Sequence, residues 1–264
     1  MRALDQLGDE TRALRGLLFD LDDTVLTHGV LGRAAYNAIW DLKDAGFQLV
    51  AVTGRPSGWA ELLARQWPID GAVSENGAVF VVREGAGVRV VLDGTVEEVA
   101  GRRVRLDELV RSVATAMPDV VLSDDVHARR SDVTWDIGER VTLAPDRIAE
   151  LAARVIAAGA RTTRSTVHLH ASFERDDKAS GATRFLRQHL GEDPGSALWR
   201  WAFVGDSPND QACFAAFHHT FGVANVRRYA RALSVPPRWI TSAERGDGFA
   251  ELARTLVAKR AQKS

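Results

Sequence analysis

Residues 16–26 read GLLFDLDDTVL. Gly16 to Phe19 make a short apolar run bounded by glycine and by acids, which predicts a buried strand entering an Asp-rich loop. Outward from it, RAAYNAIWDLKDAG sets Ala35, Ile39 and Leu42 at helical spacing with Gly46 at the stop. FQLVAVTG reads as a second buried strand, PSGWAELLARQW as a helix opened by Pro56 and Ser57, and DGAVSENG as a third strand. Strand and helix alternating over about sixty residues is the arrangement that builds a parallel sheet with right-handed crossovers.

The pattern then changes. VFVVREGAGVRVVLDG predicts a hairpin turned at Gly85 to Gly87, LDELVRSVATAM an amphipathic helix, and DVVLSDD and SDVTWDIG half-buried strands. PDRIAELAARVIAAG predicts a second helix, with Pro145 near its start and Gly159 at its stop, followed by RTTRS and VHLHASF as strands. Parallel patterning resumes with the helix ASGATRFLRQHLG, the strand WRWAFVGD, the helix QACFAAF, the strand HHTFGVAN and a closing helix in GDGFAELARTLVAK. The fold class expected is α/β: a doubly wound, Rossmann-like parallel core of residues 1–81 and 173–264, with an inserted α+β domain at 82–172.

Composition narrows the partners. With 34 Lys and Arg against 35 Asp and Glu, the net charge is -1, so no global field gathers nucleic acid or anionic lipid. The single cysteine, Cys213, cannot form an internal disulfide, and the opening MRALDQLGDETRALRG has neither the apolar core of a signal nor the acid-poor character of a transit peptide. No stretch approaches the roughly 20 apolar residues of a membrane span. These features predict a cytoplasmic chain that binds neither nucleic acid nor membrane. They leave its oligomeric state open.

The polar residues fall at strand ends. Asp20, Asp22 and Thr24 follow the first strand, Thr53, Gly54 and Arg55 the second, and Asp206, Ser207, Asn209 and Asp210 the strand in WRWAFVGD. Ligands of open α/β sheets bind at the carboxyl ends of the strands, so these loops are expected to converge on one crevice. Carboxylates crowded there repel by several kcal/mol at an effective dielectric near ~20, and an oxygen-ligated Mg²⁺ that also admits phosphate relieves the repulsion. If extended geometry persists, Asp20 and Asp22 point to one side, where one can attack phosphorus and the other serve as acid and base. Thr53 and the amides around Gly54 can hold phosphoryl oxygens, and Lys178 can bring a compact positive charge.

FDLDDTVL, VTGR, DDKASG and VGDSPND, in that order, resemble the four motifs of the haloacid dehalogenase superfamily. The insert between the second and third motifs, with SENGA and the closing GDGFAELA, is similar to type IIB, Cof-type members, whose insert is a C2 cap that selects substrate. The resemblance implies Asp20 as nucleophile, Asp22 as acid and base, and Thr53 and Lys178 as phosphoryl-stabilising groups. It implies Mg²⁺ bound by Asp20, the backbone carbonyl of Asp22 and Asp206, with Asp210 in support. Asp23 stands where most close relatives carry glycine. The implied activity is hydrolysis of a small phosphate monoester, such as a sugar phosphate, through an aspartyl phosphate. A phosphomutase and a non-catalytic phosphosugar-binding regulator are the alternatives.

Other residues are candidates for substrate binding. Gly54, Arg55, Asn76 and Asn209 lie at strand ends beside the expected crevice. Arg129 and Arg130 can form an arginine fork for a substrate carboxylate or second phosphate, although a solvated loop is the simpler reading. His168 and His170 share one face of a strand and can meet substrate or metal; with no third ligand near them in sequence, a polar sheet face explains them as well.

Overall fold

The computed structural model describes residues 1–165 and 167–262. The strands of its large sheet begin with β1 (Arg2–Ala3) and β2 (Gly16–Phe19), and the small hairpin β3 (Leu26–Thr27) and β4 (Val30–Leu31) follows. Then come α1 (Arg33–Asp44), β5 (Gln48–Val52), α2 (Ser57–Gln66), β6 (Gly71–Ser74), β7 (Val79–Glu84) and β8 (Gly87–Leu92). The middle of the chain holds α3 (Val96–Ala116), β9 (Asp132–Asp136), α4 (Pro145–Ala157), β10 (Arg161–Arg164) and β11 (His168–Ser172). The last part contains α5 (Lys178–Leu190), α6 (Pro194–Arg200), β12 (Trp201–Gly205), α7 (Gln211–Ala216), β13 (His219–Gly222), β14 (Trp239–Ile240) and α8 (Arg245–Ala261).

The large sheet has nine strands in the order β1-β14-β13-β12-β2-β5-β6-β7-β8. All of its pairings are parallel except those of the β6-β7-β8 edge. From β2 the chain winds outward through β5 and β6, and from β12 it winds the other way through β13 and β14. The switch in direction therefore lies between β2 and β12, where open α/β sheets place their ligands. Alternation along β2 sorts its side chains. Leu17 and Phe19 join the apolar layer under α1 and α8, whereas Leu18 joins the layer of Phe185 on α5 and Phe214 on α7. The next position on Leu18's side is Asp20, which faces the start of α5.

The inserted segment builds a separate sheet in the order β10-β11-β9. Val133, Trp135, Leu169 and Ala171 turn to one side and pack with Leu106 and Leu109 of α3 and Leu151 and Val155 of α4. The period of two leaves Asp132, His168 and His170 on the opposite side, facing the large sheet.

Three expectations are corrected. The hairpin read as the start of the insert, residues 82–92 of the span 82–172, belongs to the large sheet, because β7 pairs antiparallel with β6. Local alternation announces a hairpin but not which sheet it extends. DVVLSDD forms no strand: Leu122 makes one isolated bridge to Trp135, and residues 124–128 wind into a 3-10 turn. The helix expected at LDELVRSVATAM starts ten positions earlier, at Val96, where Thr95 and Glu98 form a reciprocal capping box.

One close approach fixes the start of α5. A Cβ placed on Gly181 would fall inside van der Waals distance of the Gly77 carbonyl oxygen, so α5 rests directly on the backbone of the 75–77 turn. Gly101 in α3 would meet nothing within 4 Å. Alanine ordinarily favours a helix interior by about 1 kcal/mol over glycine, so Gly101→Ala is expected to raise the melting temperature. Gly181→Ala, despite the same propensity gain, is expected to lower stability by ~1–3 kcal/mol through overpacking. Thermal denaturation followed by circular dichroism checks both, and a stabilised Gly181→Ala protein contradicts the packing described.

Candidate active site

The strand ends converge as expected. Lys178, the first residue of α5, donates from Nζ to Asp20 Oδ1 at 2.6 Å and to Asp210 Oδ1 at 2.8 Å, and all three side chains are buried. Asp177 caps the helix through the amides of Ala179 and Ser180, which fixes where Lys178 emerges. Asp210 uses its other oxygen to accept the backbone amides of Asp206 and Ser207, at 2.9 and 3.2 Å. It thus ties the lysine to the loop after β12. Asp206 accepts from Asn225 Nδ2 at 2.8 Å and from Thr24 Oγ1 at 3.4 Å.

Burial and crowding push these carboxyls up. Burial raises Asp20 to about 7, with Lys178 opposing the rise and Asp210 and Asp22 adding to it. Burial, then Asp210 and Asp20, raise Asp206 to about 9. Burial also disfavours the charge on Lys178, but Asp20 and Asp210 outweigh it and hold the ammonium above its ordinary range. The cluster has more negative than positive charge. Carboxylate oxygens of Asp20, Asp206 and Asp210 lie within 4.8 Å of one another. An all-oxygen donor set of this kind, still proton-hungry after its lysine is counted, fits a hard divalent cation such as Mg²⁺.

Asp22 departs from the expectation. β2 ends at Phe19 and residues 22–25 form a turn, so extended geometry does not persist, yet both aspartates line one crevice. The Asp22 carboxylate is instead held by Arg55 in a two-pronged pair, Nε to Oδ2 at 2.8 Å and Nη2 to Oδ1 at 2.6 Å. Arg55 also lies over the Trp59 ring, 4.4 Å from its centroid. Asp23 occupies the left-handed region with φ 54°, where glycine is favoured and aspartate is among the better-tolerated replacements. Its added charge is met by Arg245 Nε at 2.8 Å, and its carbonyl accepts from the same Asn225 that holds Asp206.

The end of β5 leads into Thr53 and the Gly54 loop. Thr53 is buried, and its Oγ1 accepts from the Arg55 amide at 3.0 Å. A Cβ on Gly54 would stand 3.0 Å from Asn76 Oδ1, which brings Asn76 against the loop. Asn209 accepts from Ser207 Oγ at 2.6 Å and lines the same crevice. That crevice, about 630 Å³, runs between Asp20, Asp22, Gly54, Arg55 and Asp206 on one wall and Glu139, Arg164, His168 and His170 of the insert on the other. Its size suits a small molecule.

The insert's candidates are redistributed. Arg129 is no free fork: it is buried and its guanidinium donates to Asp125, to Asp132 and to the Gly54 carbonyl. Arg130 pairs with Glu61 at 3.0 Å. His170 Nδ1 sits 3.0 Å from Asp132 and His168 Nε2 2.9 Å from Glu139, so both rings are placed on the crevice wall by acids. Sequence reasoning missed Asn225, Asp132 and Glu75. The first two had no readable signal, whereas Glu75 lies inside the quoted SENGA.

Residues 17–89 match the model of the haloacid dehalogenase-like hydrolase family. No curated protein matches the chain. Among solved structures, a Thermoplasma acidophilum protein aligns at 15% identity and TM-score 0.72, over 92% of this chain and 98% of its own. The sucrose-phosphatase of Synechocystis sp. PCC6803, solved with sucrose and phosphate, aligns at 18% identity and TM-score 0.64 over 92% and 98%. A Bacteroides thetaiotaomicron phosphatase of the haloalkanoate superfamily aligns at 16% identity and TM-score 0.63 over 95% and 97%. Identities this low establish a shared fold. Together with the family match they bear out the resemblance read from the motifs.

The raised carboxyls make stability depend on pH and cation together. An acid whose folded pKa lies above its unfolded value contributes stability at low pH and loses it as pH rises through the folded value. For Asp20 and Asp206 that loss runs from about 4 up to about 9. Mg²⁺ should therefore raise the melting temperature more at about pH 8.5 than at about pH 5.5, and a hundredfold excess over Kd is worth about 2.7 kcal/mol. Thermal shift at the two pH values measures it, and an equal or larger effect at the lower pH contradicts the placement of these carboxyls.

Proposed function

We infer that this haloacid dehalogenase-like chain is a Mg²⁺-dependent phosphatase that hydrolyses a small phosphate monoester, a sugar phosphate, through a phosphoryl group carried on Asp20. The observation that carries the reading is the buried Lys178 ammonium shared by Asp20 and Asp210 at the switch point of the sheet. A lysine so held neutralises charge on both the attacking carboxylate and an incoming phosphoryl group without reorganising during the reaction.

In this reading an oxygen of Asp20 attacks phosphorus, forming the aspartyl phosphate as the bond to the leaving oxygen breaks. Thr53 Oγ1 and the amides of the Gly54 loop receive the phosphoryl oxygens. Asp22, released from Arg55 and protonated from solvent, gives that proton to the leaving oxygen; it then takes a proton from the water that attacks phosphorus, returning Asp20 free and releasing inorganic phosphate. Asp20, Asp206 and the Asp22 carbonyl would hold Mg²⁺, which would supply positive charge to the phosphoryl oxygens. Asp210 and Asn225 hold the loop and the ligand Asp206 in place.

The domain division is part of the same proposal. Residues 95–172 act as a cap whose polar face closes the crevice, excludes water during the first transfer and meets the leaving group. His168, His170, Arg164 and Asn209 provide hydrogen bonds suited to hydroxyl groups, and the Synechocystis neighbour was solved in complex with sucrose and phosphate. The buried free thiol of Cys213 fits a reducing compartment such as the cytoplasm. Among the described residues no helix is long and apolar enough to cross a membrane.

A panel of phosphorylated metabolites assayed with and without Mg²⁺ should release inorganic phosphate only with the cation. Asp20→Asn should lower turnover by at least about 10³-fold while the protein remains folded. Wild-type turnover by Asp20→Asn refutes the covalent role, and an isomeric sugar phosphate without net phosphate release would assign a mutase instead.

A further inference from the structure

One buried carboxylate gathers several of the contacts between the insert and the large-sheet unit. Glu75 is 2% exposed and its carboxylate accepts the backbone amides of Arg130 at 3.0 Å, Ser131 at 2.6 Å and Asp132 at 3.2 Å, with Ser131 Oγ at 2.7 Å. It also accepts the Ser57 amide that opens α2, at 2.9 Å. Successive amides converging on one anion form a nest, and hydrogen bonds to a charged acceptor are the strong ones. Glu75 and Asn76 both have positive φ, 50° and 55°, an unusual pair for residues with side chains. That turn does two things at once. It sends the carboxylate into the insert, and it aims the amides of Glu75 and Asn76 back at the carbonyls of Arg55 and Thr53, each at 3.1 Å.

We propose that Glu75 is a positioning residue for the reaction: it clasps the backbone of residues 130–132 while bracing the Thr53–Arg55 loop, and so seats Arg129 on the Gly54 carbonyl and the His170 wall over the phosphoryl end of the crevice. The proposal rests on the phosphatase reading of that crevice. The route is continuous. Asp132, whose amide Glu75 holds, receives Arg129 at 3.0 Å and His170 at 3.0 Å, and the same Arg129 nitrogen reaches Gly54 O at 3.1 Å. A leaving group that meets His170 therefore presses on a chain of contacts ending at the loop that receives its phosphate. Burial raises the Glu75 carboxyl and Asp132 adds to the rise, while the Ser131 and Arg130 donors oppose it. The insert amides are what keep it an acceptor.

The test uses the full chain with Mg²⁺ and para-nitrophenyl phosphate. Glu75→Gln keeps the shape but turns a donor toward the amides, and its kcat is expected to fall by at least about tenfold with KM within about threefold. Arg129→Lys should cost a similar factor, and the double variant little more than either alone, because both act through one linkage. Hydrogen exchange at the amides of residues 130–132 should quicken in Glu75→Gln, while β2 and β12 stay protected. Should Glu75→Gln not fold, Ser131→Ala removes a single donor and should lower kcat by about threefold. Unchanged kcat in the folded Glu75→Gln protein, or in Ser131→Ala as its substitute, overturns the proposal, as does full additivity of Glu75→Gln with Arg129→Lys. A wild-type protein inactive on para-nitrophenyl phosphate and on the metabolite panel would instead overturn the phosphatase reading.

Discussion

The organisation of the molecule turns on a single buried ammonium. Lys178 is almost fully enclosed, yet it stands between Asp20, which lies 158 positions away in sequence, and Asp210. Removing three charges from water costs several kcal/mol per ion even after relaxation, and buried pairs seldom repay it as stability. Such a cluster is better explained as chemistry held in readiness than as a staple for the fold. Its excess negative charge gives the same answer from another direction, since carboxyls pushed toward neutral and alkaline values call for a cation.

Everything near the cluster serves its placement. The sheet reverses its winding between β2 and β12, so these two strands deliver Asp20 and Asp206 side by side. Asp177 caps α5, and the contact of Gly181 with the backbone of Gly77 sets that helix at the depth from which Lys178 can reach Asp20. The 75–77 turn thereby supports the lysine through its glycine, the Thr53 loop through its amides and the insert through its glutamate. Three residues link the parts on which the proposed reaction depends.

Much of this was legible from local pattern. Asp20, Asp206, Asp210 and Lys178 were readable because each terminates a strand or opens a helix with clear periodicity and punctuation, and strand ends in a parallel sheet have one place to meet. The polar face of β11 was legible too, since alternation alone separates His168 and His170 from Leu169 and Ala171. Pairings set by tertiary approach were not. Arg129 looked like a free cation because nothing in its neighbourhood in sequence reveals that Gly54 lies against it. The pairing of Asp22 with Arg55 was hidden as well, because it depends on a turn at residues 22–25 and on a loop 33 positions away. Glu75 lay within a quoted motif, but the amides it holds were not announced there, as a nest of amides has no side-chain signature.

The claim most exposed to test is that Asp20 itself receives the phosphoryl group inside this lysine-bound cluster. Acid quenching during steady turnover, followed by peptide mapping by mass spectrometry, observes it directly. The account predicts the added phosphoryl on the peptide containing residues 16–26, located at Asp20. Turnover that leaves every carboxylate unmodified under conditions that preserve acyl phosphates, or that labels a different residue, would contradict it.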